Sequence, residues 1–293
     1  MVKVRRFLLG VGVTITVTCA TMSGAGAADA LDLPFGLGNG SLGTAAVPKA
    51  QLDKSFRSLT KSMAKSLPGQ VGIAITPVGG DVPISFGSLK TARAWSTLKV
   101  PVSIAAQRRL GVEVLPQELK AIEFSDNAAA ENLWAVLGGG QQSVDAVTAV
   151  LREGHDLRTR VSSEVDRPRS YPGYTPWALA DQSIFAAHLP CLPDSGQVLN
   201  YMSHVAPNQQ WGVAKPRTRG VRAAVKGGWG PSSDTDGREV VRQVAVITTP
   251  RGQYGVSVAA LPRSGSFSDG TAMVTRVGKW LLRNLDKFPA GRC

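Results

Sequence analysis

The stretch Ala94-Trp95-Ser96-Thr97-Leu98-Lys99-Val100 sets a hydroxyl and an amine three residues apart, on one face if the segment is helical. A serine hydroxyl is a weak nucleophile at neutral pH and needs a base within reach, and Lys99 is the nearest such group to Ser96. Two more short motifs follow in order, Ser125-Asp126-Asn127 and Lys226-Gly227-Gly228. Each is weak alone. Their order and their places in the predicted architecture make them one set.

On either side of these motifs the apolar period changes. Leu52 to Leu67 has a helical pattern, with Phe56, Leu59 and Met63 on one face. Val71 to Ile75 and Val82 to Phe86 read as two strands joined by a Pro-Val-Gly-Gly-Asp turn. Val221 to Lys226, Val240 to Thr248 and Tyr254 to Leu261 read as three more strands, and Ser268 to Leu285 as a closing helix. The middle, about 97–205, is mostly helical, and no repeats occur. These elements predict an α/β (α+β) fold: a five-stranded antiparallel sheet flanked by terminal helices, with an inserted all-helical subdomain. Ser96 would open the first helix after the hairpin, Ser125 would lie within the helical part, and Lys226 would end a late strand. Ligand sites favour such subdomain boundaries.

At 293 residues with 43% hydrophobic content, the chain is long enough to bury a full core. Lys3, Arg5 and Arg6 precede an apolar run from Phe7 to about Ala20 and a small-residue stretch to Ala30. Residues 1–30 therefore read as a secretory signal peptide, with cleavage after Ala27 or Ala30. Residues 31–50 are poor in charge and read as a flexible leader, so the folded domain is expected over 51–293. Export leaves Cys191 and Cys293 in an oxidising compartment, where a disulfide and two free thiols both remain open. His155, His188 and His204 are scattered along the sequence, so neither a metal nor a cofactor is expected. The formal net charge of +12 would suggest nucleic acid in a cytosolic protein. In an exported one, attraction to an anionic cell envelope or plain solubility accounts for it, and no nucleic acid is expected. The chain is expected to be a secreted or extracytoplasmic monomer.

From about Gln51 to Leu285 the chain resembles the penicillin-recognising serine hydrolases, the superfamily of class A β-lactamases and D,D-peptidases. The motif around Ser96 is similar to the nucleophile helix of that superfamily. Ser125-Asp126-Asn127-Ala128-Ala129-Ala130-Glu131-Asn132-Leu133 resembles its second motif and the helix that follows. The Gly138-Gly139-Gly140 turn and the approach from Gly154 to Glu164 resemble the class A path to the acidic residue of the omega loop, and Thr175-Pro176 resembles the start of the next helix. The resemblance implies a β-lactamase/transpeptidase-like fold and an acyl-enzyme formed through Ser96. Lys99 would be the base, Ser125 would relay a proton to the leaving nitrogen, and Lys226 would support that transfer and attract a substrate carboxylate. Asn127 would orient Lys99 and the substrate amide, with Gly228 completing the third motif. Backbone N–H groups of Ser96 and Trp229 would form the oxyanion hole, and Glu164 would activate the deacylating water.

The departures from that pattern are as specific as the matches. The run from Ser96 to Ser125 is short, implying a trimmed helical subdomain. Gly227 stands where the family carries a hydroxyl residue, and the Trp229 indole would crowd the oxyanion site. Val165-Asp166-Arg167-Pro168 lacks the asparagine that helps hold a deacylation water. Arg222 or Arg242 could supply the missing carboxylate donor, but strand alternation alone does not say which face each occupies. The resulting expectation is a secreted serine hydrolase acting on β-lactam amides. A D,D-peptidase or esterase acting on peptidoglycan-like substrates, and a catalytically weak envelope-binding protein, are the alternatives.

Overall fold

The computed structural model describes residues 49–168, 170–216 and 218–293. The predicted signal peptide, and the leader apart from its last two residues, lie outside them. Lys49 and Ala50 already belong to the first helix, two residues before the expected start.

The elements run α1 (Lys49–Met63), β1 (Gly69–Pro77), β2 (Ile84–Gly87) and β3 (Thr91–Arg93), then a 3-10 turn at Trp95–Leu98 that leads into α2 (Lys99–Leu110). Next come α3 (Leu115–Glu123), α4 (Asn127–Val136), α5 (Gly140–Glu153), β4 (Pro176–Ala178), α6 (Leu179–His188) and α7 (Gly196–Ser203). The chain closes with β5 (Arg222–Pro231), β6 (Glu239–Thr249), β7 (Gly252–Pro262) and α8 (Phe267–Asn284). The main sheet has five antiparallel strands in the order β2-β1-β7-β6-β5. β5 is an edge strand, and its Lys226 lies in mid-strand, because pairing with β6 continues to Pro231.

Two large cores result. Apolar faces of α1 and α8 cover one side of the sheet, where Phe56, Phe86, Trp280 and Phe288 pack ring against ring. The other large core fills the helical region, from Leu98 and Ile104 to Leu133, Leu151 and Met202. The middle of the chain is not purely a helical insertion. α6 lies directly on the sheet, so close to β7 that a Cβ at Gly255 would overlap the helix backbone. Pro176 begins a short strand paired with β3 rather than a helix, with Ala92 opposite Trp177. The Cys191–Cys293 pair is a disulfide with a Cα–Cα distance of 5.4 Å, joining the end of α6 to the C-terminus.

One buried group in the helical core has no obvious partner. Glu118 on α3 is fully buried, neither carboxyl oxygen has a hydrogen bond among the described residues, and burial pushes its pKa up to about 7. The folded state therefore keeps a proton that the unfolded chain loses near 4.5. This contribution to stability is complete below about pH 4.5 and is lost as pH rises through about 7. Glu118→Gln, which never ionises, should exceed the parent in stability at pH 8 by on the order of 2–3 kcal/mol. The two should converge near pH 4, as read by urea unfolding at both pH values.

Candidate active site

Ser96 sits in the 3-10 turn just before α2, and this turn is held from several sides. The Thr97 hydroxyl donates to Ala94 O (2.6 Å) and accepts from the Gln182 amide (2.9 Å). Gln182 Oε1 in turn accepts from Arg242 (2.6 Å) and Ser257 (2.6 Å). The Arg242 guanidinium, fully buried, also donates to Ala92 O (2.6 Å), Arg93 O (3.2 Å) and Trp177 O (3.2 Å). Arg242 thus fixes the segment that carries Ser96 and does not line the cleft. Arg222 is exposed at the start of β5 and lines a different hollow. Neither arginine replaces the missing carboxylate donor.

The Ser-Asp-Asn motif folds as a helix start. Asp126 caps α4, accepting from Ala129 N at 2.7 Å, and this places Asn127 on the first turn. Ser125 before it adopts φ 59°, and Trp95 beside Ser96 adopts φ 47°. Left-handed backbone at such residues costs about 1–3 kcal/mol and persists where surrounding structure enforces it, commonly at functional sites.

Lys99 points into this arrangement. Its Nζ donates to Ser125 O (2.7 Å), Asp126 O (3.0 Å) and Asn127 Oδ1 (2.8 Å), so an ammonium has a partner for each of its three protons. Burial pulls the Lys99 pKa down to about 8, against the raising effect of Asp126 and Glu131. Lys226 Nζ, completely buried, donates to Ser125 Oγ (2.8 Å) and Gly227 O (3.0 Å). Burial lowers its pKa well below the ordinary lysine value, and the Lys99 charge acts in the same direction. Two lysines with weakened hold on their protons therefore flank one serine.

A cleft of about 570 Å³ opens beside these groups, and Ser96, Lys99, Asn127 and Glu164 line it directly. Ser125 and Lys226 connect to it through Lys99. Gly228 packs against the nucleophile turn, where a Cβ would lie 2.9 Å from Ser96 N and 2.9 Å from Ala94 O. One expectation about β5 needs correction. The Trp229 indole does not crowd the cleft, since it packs at a tilt against Phe267, 4.9 Å between ring centroids, on the α8 side. At Gly227, the space that a side chain would take is filled by the Trp211 indole.

Glu164 also carries a structural role. Its Oε1 accepts from Gly140 N (2.7 Å) and Trp134 Nε1 (3.2 Å), so the carboxylate sits at the N-terminus of α5, where the N-cap Gly139 offers no side chain. Burial raises its pKa, but the hydrogen bonds from backbone and indole outweigh this and hold it below the ordinary carboxylate value. Glu131 is a second cleft carboxylate, without an assigned role in the sequence reading. It stands one turn after Asn127 on α4, a spacing that could have singled it out. Trp95, Tyr171 and Tyr174 complete an aromatic wall, with Trp95 edge-on to Tyr174 at 5.3 Å. Asp234 on the β5–β6 loop bridges Arg93 and Arg167, and the Arg93 guanidinium lies 4.5 Å over the Tyr174 ring.

The cleft contains no histidine. Among the described residues, one group able to hold a metal ion lies elsewhere, at Asp81, His155 and His188. Two of the three histidines are therefore neighbours in space, contrary to the impression their sequence positions give.

The site generates two predictions. Gly227→Thr should cost about 1–3 kcal/mol by overpacking against Trp211, and combining it with Trp211→Leu should give a favourable coupling in a double-mutant cycle of denaturation free energies. Glu131→Gln removes a negative charge acting on Lys99, so the Lys99 titration followed by NMR should move to lower pH.

No protein-family model and no curated protein sequence matches the chain. Among solved structures, an ancestral class A β-lactamase superposes with a TM-score of 0.61 at 20% identity, covering 80% of this chain and 99% of that one. The class A β-lactamase of Mycobacterium abscessus gives 0.62 at 16% identity, covering 78% and 98%. The chromosome-encoded β-lactamase of Vibrio parahaemolyticus gives 0.61 at 14% identity, covering 80% and 98%. With its five-stranded antiparallel sheet and helical region, the chain has the fold of the class A β-lactamases.

Proposed function

We propose that the protein is a serine hydrolase that forms an acyl-enzyme through Ser96, with β-lactam amides as the substrate class. The observation that carries this reading is the chain of contacts from Lys99 through residues 125–127 to Lys226, beside a cleft that Ser96 lines. Loss of one proton from Lys99 frees a lone pair and gives up one of its three hydrogen bonds, so the amine can turn to the Ser96 hydroxyl. Ser96 Oγ then attacks the carbonyl carbon as its proton passes to Lys99 Nζ. The developing oxyanion is received by the N–H groups of Ser96 and Trp229, on the exposed edge of β5 against the turn. The C–N bond breaks as Ser125 Oγ gives its proton to the leaving nitrogen and takes one in turn from Lys226 Nζ, its hydrogen-bond donor. General acid–base help of this kind contributes about 10²–10⁴-fold.

Release of the acyl group is the slow step in this reading, because Glu164 is engaged as the cap of α5. The cleft therefore favours a long-lived acyl-enzyme, the behaviour of a penicillin-binding protein, over rapid β-lactam turnover. Export to the cell envelope belongs to the same reading, supported by the N-terminal sequence and by a disulfide of the kind that persists in oxidising compartments.

Incubation with a fluorescent penicillin, followed by intact-mass measurement, tests the proposal. The parent should gain one adduct that survives on a scale of minutes, and Ser96→Ala and Lys99→Ala should gain none. The acylation rate should rise with pH and level off above about 8, as Lys99 loses its proton. Labelling of Ser96→Ala at the parent rate refutes the nucleophile, and an adduct lost within seconds refutes slow release.

A further inference from the structure

We propose that Asp81, His155 and His188 form a binding site for a divalent metal ion of the zinc type, separate from the cleft. The three residues come from different parts of the chain. Asp81 ends the turn after β1, His155 follows α5, and His188 is the last residue of α6. Asp81 Oδ1 lies 2.8 Å from His155 Nδ1 and 2.8 Å from His188 Nε2, and the two imidazoles stack at 3.7 Å with an interplanar angle of 19°. All three donor atoms fall within 4.8 Å of one another.

Zinc bound by imidazole at about 2.0–2.1 Å and carboxylate at about 2.0–2.2 Å spaces tetrahedral donor atoms about 3.3 Å apart. The two rings lie nearly parallel, so their nitrogen lone pairs do not converge on one point; to reach that arrangement the half-exposed His155 ring swings out of the stack and Asp81 shifts by roughly half an ångström. Two of the three donors are imidazole nitrogens, which suits zinc and its first-row neighbours and disfavours calcium and magnesium. Asp81 and His155 are 59% and 50% exposed, so solvent reaches the site and supplies the fourth position.

The framework around the donors is fixed without the ion. Gly79 N donates to Ala187 O (3.1 Å), docking the Asp81 turn on the end of α6. Gly154 packs on Phe185, where a Cβ would overlap the ring, and this sets the direction of the chain into His155. His155 adopts φ 60°, a conformation that glycine takes freely. Three described non-glycine residues have such a backbone, and the other two are Trp95, next to Ser96, and Ser125, whose carbonyl accepts from Lys99. A bound ion would clasp the β1 turn, α5 and α6 together, next to the anchor that Cys191–Cys293 already provides.

Zinc titration of the chelator-stripped, full-length disulfide-bonded protein, in competition with a chromogenic zinc indicator, tests the site. The parent should bind one equivalent with a Kd of about micromolar or tighter. His155→Ala and Asp81→Asn, both at exposed side chains, should each weaken binding at least about tenfold while keeping the parent circular dichroism spectrum. Zinc should raise the melting temperature of the parent and leave that of His155→Ala unchanged. Absence of saturable binding up to roughly millimolar zinc overturns the proposal and leaves the cluster as a hydrogen-bonded contact. Parent-like affinity in both variants also overturns it, by placing the ion elsewhere.

Discussion

Lys226 is fully buried in β5, and its ammonium finds two acceptors, Gly227 O on its own strand and Ser125 Oγ at the head of α4. Taking an ammonium out of water costs several kcal/mol unless it is hydrogen-bonded or gives up its proton. Its electrostatic neighbour is Lys99, a second partly buried amine that makes the cost larger. The helical region must therefore bring Ser125 to the sheet edge, and it does so in a left-handed conformation that a serine does not choose unaided. The same placement presents the carbonyls of Ser125 and Asp126 to Lys99. One buried amine thus sets the seam between helices and sheet and fixes the second amine beside Ser96.

The turn that carries Ser96 is held independently. Arg242, Gln182, Thr97 and Ser257 form a buried network whose members come from β6, α6, the turn itself and β7. Its guanidinium donates chiefly to backbone carbonyls, so no carboxylate is needed within the core. Networks of this kind rigidify a core, and this one leaves a donor open, since the buried Arg242 Nε has no hydrogen-bond partner among the described residues. Glu164 belongs to a third support. Without a side chain at Gly139, α5 depends on a carboxylate from the loop to answer its first N–H, that of Gly140. The same oxygen is then less available to a water molecule in the cleft.

Much of this was legible in the sequence where the signal was periodic. The five strands and the terminal helices α1 and α8 follow from runs with a clear period of 2 or 3.6. The pair β3 and β4 was not legible, because strands of three residues carry no period. α6 reads as helix, but it is buried nearly all round, so its pattern does not tell which layer it joins. The motif residues around Ser96, Ser125 and Lys226 were visible because short motifs report local chemistry. The filling of the Gly227 space by Trp211, and the meeting of His155 and His188 with Asp81 across separations of 74 and 107 residues, depend on the closed fold. No local spacing encodes them.

Alternation along β5 decides which departures from the family pattern reach the chemistry. Ala224 packs in the helical core, Lys226 meets Ser125, Gly228 backs the nucleophile turn and Gly230 lies against the Trp95 ring. The residues between them, Val225, Gly227 and Trp229, belong with Trp211 and Phe267 on the other face. A strand with period 2 can vary one face while keeping the other. Gly227 and Trp229 are thus matched to Trp211 and Phe267 within the second core, and the residues on the opposite face of β5 keep their contacts with Ser125 and with the turn that carries Ser96. Across the cleft, the Glu164 carboxylate on the loop also closes the start of a helix. In the proposed reaction, acylation and release therefore rest on different structural supports, and the support for release is shared with the stability of α5.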